Sequence, residues 1–89
     1  MIRRRVISHG FVQGVYFRDT TRRLAQQHRV AGWVRNRWDG AVEAVFEGAP
    51  EAVERLVAFM REGPRGAAVE RVEVEDEEPE GLDGFSIRF

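Results

Sequence analysis

The chain has 89 residues and a mass of 10.2 kDa, with 43% hydrophobic and 33% charged side chains, the balance of one small globular domain and not of a disordered chain. The absence of cysteine excludes disulfides, thiolate metal sites and cysteine nucleophiles, and the absence of lysine excludes Schiff-base chemistry and a P-loop lysine. A net charge of −1 argues against a general nucleic-acid binder, and no stretch approaches the ~20 apolar residues of a membrane span or the charged-then-apolar form of a signal peptide.

Residues 2–8 are β-prone through Ile2, Val6 and Ile7, although Arg3, Arg4 and Arg5 obscure which face is apolar. Gly10 and Gly14 mark a loop, His9 to Tyr16, ahead of a helix from Phe17 to His28. The apolar face of that helix carries Phe17, Leu24, Ala25 and His28, and Gly32 ends the unit. Trp33, Val34 and Trp38 belong to a second strand, and Asp39-Gly40 turns it into a third. There Val42, Ala44 and Phe46 share one face, Glu43, Val45 and Glu47 the other, and Gly48 closes the strand.

Pro50 suits the first position of a second helix, in which Val53, Leu56, Val57 and Met60 recur at helical spacing. Glu51 and Arg55 are placed for an i, i+4 pair, and Gly63-Pro64 stops the helix. A fourth strand spans Val69 to Glu75, and the acidic run Glu73 to Glu80 reads as a solvated strand end and loop. Phe85, Ile87 and Phe89 alternate with Ser86 and Arg88 in a short last strand. The order β-α-β-β-α-β plus a terminal strand predicts an α+β, ferredoxin-like sandwich over residues 1–89. Two helices would cover one face of a mainly antiparallel sheet.

Two places stand out chemically. The loop Gly10 to Arg18 runs from a strand into a helix, where unpaired amides and the helix dipole favour an anion. Glycines at 10 and 14 let those amides converge, and Arg18 offers a guanidinium fork matched to phosphate oxygens. Arg18 opposes the helix dipole, so helix stability alone does not explain it. Residues 1–40 also hold nine arginines against two acids (+7), and residues 41–89 five against thirteen (−8). An anionic ligand thus belongs with the first half, unless the halves interleave in space. The alternative is a tight turn followed by a solvated arginine.

Asn36, the single asparagine, precedes the hairpin turn; its amide can orient a water, or it is simply a turn residue. His9 and His28 have no clustered ligand partners, so no metal site is indicated. Tyr16, Trp33 and Trp38 form either a stacking platform or ordinary sheet packing.

Gly10-Phe11-Val12-Gln13-Gly14-Val15-Tyr16-Phe17-Arg18 resembles the first signature of the acylphosphatases, G-x-V-Q-G-V-x-F-R. Gly32-Trp33-Val34-Arg35-Asn36, followed by Gly40, Val42 and Gly48, resembles their second, G-W-V-R-N-x-x-x-G-x-V-x-x-x-x-x-G. Gly63-Pro64 and Gly84-Phe85-Ser86-Ile87 are also similar, so the resemblance runs over essentially the whole chain. Phe11 stands where the family often has Lys or Arg, and Gln27 to Ala31 departs from the small apolar residues common there.

The resemblance implies a small cytoplasmic, monomeric hydrolase that cleaves acyl phosphates to a carboxylate and inorganic phosphate. It implies neither a metal, a cofactor nor a phosphoenzyme. By motif position, Arg18 and the amides of Val12, Gln13, Gly14, Val15, Tyr16, Phe17 and Arg18 would bind the phosphoryl group, and Asn36 would position the attacking water. Phosphate or another anion would bind as product or inhibitor, with no nucleic acid or membrane as partner. A binding module of the same fold, for a phosphate ligand or RNA and without turnover, is the competing reading. Against its RNA form stand the net charge and the lack of an aromatic RNP-type strand. A regulatory domain of a larger carbamoyl-phosphate-processing protein is a third, by family analogy. The absence of any linker between Met1 and Phe89 favours a free-standing enzyme.

Overall fold

A computed structural model describes residues 1–89. In chain order the elements are β1 (Ile2–Phe11), α1 (Phe17–Gln27), β2 (Ala31–Asn36), β3 (Val42–Gly48), α2 (Pro50–Glu62), β4 (Ala68–Glu77) and β5 (Phe85–Arg88). The strands form one sheet in the order β4-β1-β3-β2-β5. All neighbours are antiparallel except β2 and β5, which are parallel. Each βαβ unit is therefore split by a strand of the other, and the ferredoxin-like α+β sandwich is the fold adopted.

Alternation along the strands assigns the two faces. Val6, Val34, Val42, Ala44 and Phe46 meet Phe17 and Ala25 of α1 and Val53, Leu56, Val57 and Met60 of α2 in one core. The apolar face expected for α2 is the buried one. On α1, Leu24 and His28 are only partly buried, and Thr21 takes the buried place, its hydroxyl donating to the Phe17 carbonyl at 2.8 Å. Glu51 and Arg55 are not bridged; Glu54 instead reaches Arg4 across to β1.

Two glycines lie in strands where the sequence pattern predicts breaks. Gly32 pairs with Phe46 on one side and Phe85 on the other, and those two rings stack at 5.8 Å over it. A Cβ there would lie 1.8 Å from the Val45 carbonyl oxygen. Gly10 is likewise still in β1, at the bulge where the register with β4 shifts, and its Cβ would lie 2.3 Å from the Ala68 carbonyl oxygen. The anion loop thus begins after Phe11.

The face away from the helices, which carries Glu43, Val45 and Glu47 of β3, is an ion-pair lattice. Glu43, Glu47 and Arg3 are buried there. Arg3 donates to Glu47 at 2.7 Å and to Glu77 at 2.8 Å, Arg5 to Glu77 at 2.6 Å and to Glu43, and Arg35 to Glu43 at 2.7 Å. β4 runs to Glu77, so the acidic run is paired strand from Glu73 to Glu77, and Glu73 meets His9 at 2.6 Å. The basic and acidic halves of the sequence therefore interleave, and their asymmetry largely cancels in space. Trp33 packs on this face between the guanidinium groups of Arg5 and Arg88, 5.6 and 4.5 Å from its ring.

Central β3 explains the burial. The chain must pass from β4 at one edge to β5 at the other, and residues 78–84 cross this face to do so. The Glu47 carboxylate holds the crossing by accepting the amides of Glu80, Gly81 and Leu82 at 2.9, 3.1 and 3.0 Å. Burial opposes ionisation of Glu47, but those amides and Arg3 outweigh it and hold the carboxyl below its ordinary range.

Candidate active site

Strands β1, β2 and β5 point the same way, so their carboxyl ends lie at one end of the sheet. The β1–α1 loop, the β2–β3 hairpin and the end of β5 meet there. They enclose a cleft of about 390 Å³ lined by Val12, Gly14, Tyr16, Phe17, Arg18, Asp19, Asn36, Ile87 and Phe89.

The loop is anchored at both ends. Val12 and Phe17 are buried in the core, and Val15 packs against it from the side. Between these anchors Gly14 and Tyr16 have φ of 77° and 62°, which curls the backbone outward. Tyr16 is the helix N-cap and offers no side-chain cap. The amides of Gln13 to Asp19 consequently donate to no backbone carbonyl, and the first to do so is that of Thr20, to Tyr16 at 3.1 Å. Unpaired amides at the positive end of a helix dipole form an anion cradle.

Arg18 lies in the first turn of α1. Its guanidinium has no carboxylate partner: the adjacent Asp19 is bonded to Arg22 at 2.9 Å and to Arg23 at 3.2 Å. The Arg18 group lies over the Phe89 ring, 5.3 Å from its centroid, a contact that leaves its N–H donors for a ligand. The fold thus places an uncompensated cation beside the cradle.

Asn36 is the last residue of β2, opposite Val42. Two residues on from Val34, it shares the helix-side face and opens into the same cleft, its amide free of protein hydrogen bonds. Trp38 lies beyond the strand, fully exposed at the hairpin tip, and so forms no platform with Trp33 on the far face.

Of the seven loop residues singled out from the sequence, Val12, Gly14, Tyr16, Phe17 and Arg18 line the cleft, whereas Gln13 and Val15 do not. The Gln13 side chain turns to the hairpin and donates to the carbonyls of Arg37 at 2.7 Å and Ala41 at 3.0 Å. It thereby ties the amide loop to the strand end that carries Asn36. Ile87 and Phe89 were not foreseen in the cleft. Their alternation with Ser86 was visible, but the parallel pairing of β5 with β2, which carries them there, leaves no local signal.

No helix is long and apolar enough to cross a membrane, and no group of three His, Cys, Asp or Glu side chains is placed to hold a metal ion.

A family model described as Acylphosphatase matches residues 4–87. An acylphosphatase of Haloarcula marismortui is 56% identical over 87 residues, covering 98% of this chain and 96% of the relative. One of Gloeobacter violaceus is 56% identical over 86 residues, covering 97% and 92%. The crystal structure of acylphosphatase from Bacillus subtilis matches with a TM-score of 0.95 at 37% identity, with 100% of both chains covered.

Proposed function

The chain belongs to the acylphosphatase family, and on that premise we propose how its own residues hydrolyse the carboxyl–phosphate bond of an acyl phosphate. The observation that carries the assignment is the convergence in one cleft of an unpaired guanidinium, a row of unpaired amides and an unpaired carboxamide.

Arg18 and the amides of the Val12–Arg18 loop hold the phosphoryl oxygens. The transition state is loose and its charge sits on the equatorial oxygens, so fixed donors aimed at them supply most of the stabilisation needed. Asn36 holds the attacking water, donating through its NH₂ or accepting through its carbonyl, which converts an encounter into an oriented attack. The water oxygen bonds to phosphorus as the bond from phosphorus to the acyl oxygen breaks. The bonding pair leaves with the carboxylate, whose pKa of about 4 requires no general acid. Asn36 is no base at neutral pH, so the water's proton passes to a phosphoryl oxygen, giving inorganic phosphate. Neither a metal nor a covalent phosphoenzyme enters this scheme.

The same reading makes residues 1–89 one acylphosphatase-like domain acting as a cytoplasmic monomer. Phosphate or another anion competes at the site, and no nucleic acid or membrane takes part. A phosphate- or RNA-binding module without turnover finds no support in relatives that are acylphosphatases over nearly their whole length. The test is hydrolysis of benzoyl phosphate, with a chelator present, by the wild type and by folded Arg18→Ala and Asn36→Ala variants. Turnover by the wild type alone is the expected result; equal turnover by all three would remove both residues from the mechanism.

A further inference from the structure

A second cavity, of about 400 Å³, lies at the end of the sheet away from the catalytic cleft, where β2 and β5 begin and β3 ends. That volume suits a small metabolite. Val30, Leu82 and Phe85 give it an apolar lining, and Arg29 and Asp83 stand on its wall. The other acid there, Glu47, is already taken up by Arg3 and three amides of the crossing segment.

Arg29 is an unusual residue for its place. It follows the C-cap of α1, where the chain turns with a positive φ and glycine is the ordinary occupant. Tyr16 and Arg29, with φ of 62° and 57°, are the two non-glycine residues in that conformation. Tyr16 lines the catalytic cleft, and Arg29 lines the second cavity. A side chain held this way costs free energy that glycine would not, and such strain collects at ligand sites. No ion pair offsets the cost, because the Arg29 guanidinium meets no carboxylate. Asp83 is equally without a partner, although it lines the same cavity.

Two opposite charges, bridged neither to each other nor to a neighbour, stand beside an apolar lining. A simple anion there would face Asp83 unfavourably, and a simple cation would face Arg29. A molecule carrying both charges and an apolar body satisfies all three features. We propose that this cavity binds a free α-amino acid with an apolar side chain, its carboxylate on Arg29, its ammonium on Asp83 and its side chain against Val30, Leu82 and Phe85. The guanidinium fork matches a carboxylate with two parallel hydrogen bonds.

The experiment follows thermal unfolding of the full chain with L-leucine as the probe. For a Kd near 1 mM, about 10 mM L-leucine should raise Tm by roughly 6–11 °C and then saturate. Leucinamide lacks the carboxylate, 4-methylpentanoate lacks the ammonium and glycine lacks the apolar group, so each should give a much smaller rise. Arg29→Gly and Asp83→Asn should lose the response to L-leucine while hydrolysing benzoyl phosphate like the wild type. Glycine accepts the φ at position 29, so the first of these variants reports on folded protein. Arg18→Ala should respond to L-leucine as the wild type does. No saturable rise in the wild type, or an equal rise in Arg29→Gly, would overturn the site. Glycine or 4-methylpentanoate as effective as L-leucine would overturn the assigned ligand class. Loss of the response in Arg18→Ala would place the amino acid in the catalytic cleft and overturn the second site.

Discussion

Replacing Glu47 with glutamine keeps the shape of the side chain and removes its charge. In the native chain one carboxylate oxygen accepts the amides of Gly81 and Leu82, and the other accepts Arg3 Nη1 at 2.7 Å and the Glu80 amide at 2.9 Å. A glutamine oxygen can keep the first pair. Its NH₂ then faces two donors in place of the second oxygen. Two hydrogen bonds to a charged group, worth about 1.5–3 kcal/mol each, are lost where the side chain is 1% exposed. That agrees with the ~3–5 kcal/mol cost of breaking a buried pair. Because Arg3 retains Glu77 and Glu80, about 3 kcal/mol is expected. For a domain of this size that corresponds to a Tm lower by roughly 12–24 °C. Thermal and urea unfolding of Glu47→Gln at neutral pH measure it. The crossing loop positions β5, so KM for an acyl phosphate should rise in the same variant. A loss below about 1 kcal/mol would refute the claim that Glu47 holds the crossing segment.

Acid should undo the same lattice. The carboxyls of Glu43, Glu47 and Glu77 all lie below their ordinary range when folded. Burial opposes this for Glu43 but Arg35 and Arg5 outweigh it, Glu47 is held by amides and Arg3, and Glu77 by Arg5 and then Arg3. Their stabilisation is therefore fully present above the unfolded carboxylate pKa of about 4.3, and is lost as pH falls through the lower folded values. Urea midpoints from pH 7 down to pH 3 should fall steeply below about pH 4.5, and less steeply in Glu77→Gln. Equal acid slopes in the two proteins would contradict this assignment. Gln13→Ala removes the two bonds that tie the amide loop to the hairpin. It should lower kcat/KM by roughly tenfold through misplacement of Asn36 relative to the cradle, with a stability loss of only about 1–3 kcal/mol. An unchanged kcat/KM would show that the tie is not functional.

Much of the fold was legible because its signals are local. Val53, Leu56, Val57 and Met60 mark the buried face of α2, and Asp39-Gly40 marks the hairpin, whatever surrounds them. Burial of the far sheet face was not legible. Glu43 and Glu47 alternate like solvent-facing residues, and only the sheet order shows that arginines of β1 and a crossing segment cover them. Gly10 and Gly32 read as breaks because their need for close backbone approach appears only once a neighbouring strand is in place. Arg18 and Asn36 were legible through motif resemblance, while charge and spacing alone left each with an ordinary alternative. The structure adds that they share a cleft and that neither side chain is already spent on the protein.

The most direct test of this division of labour is protection against thermal unfolding by inorganic phosphate, measured on the wild type, Arg18→Ala and Asn36→Ala. A ligand that binds only the folded state raises Tm with concentration. Phosphate should stabilise the wild type and Asn36→Ala alike, although the latter has lost turnover, and should leave Arg18→Ala unprotected. Equal protection of both variants would contradict the role given to Arg18, and loss of protection in Asn36→Ala would make Asn36 a phosphoryl ligand in place of a water-positioning group.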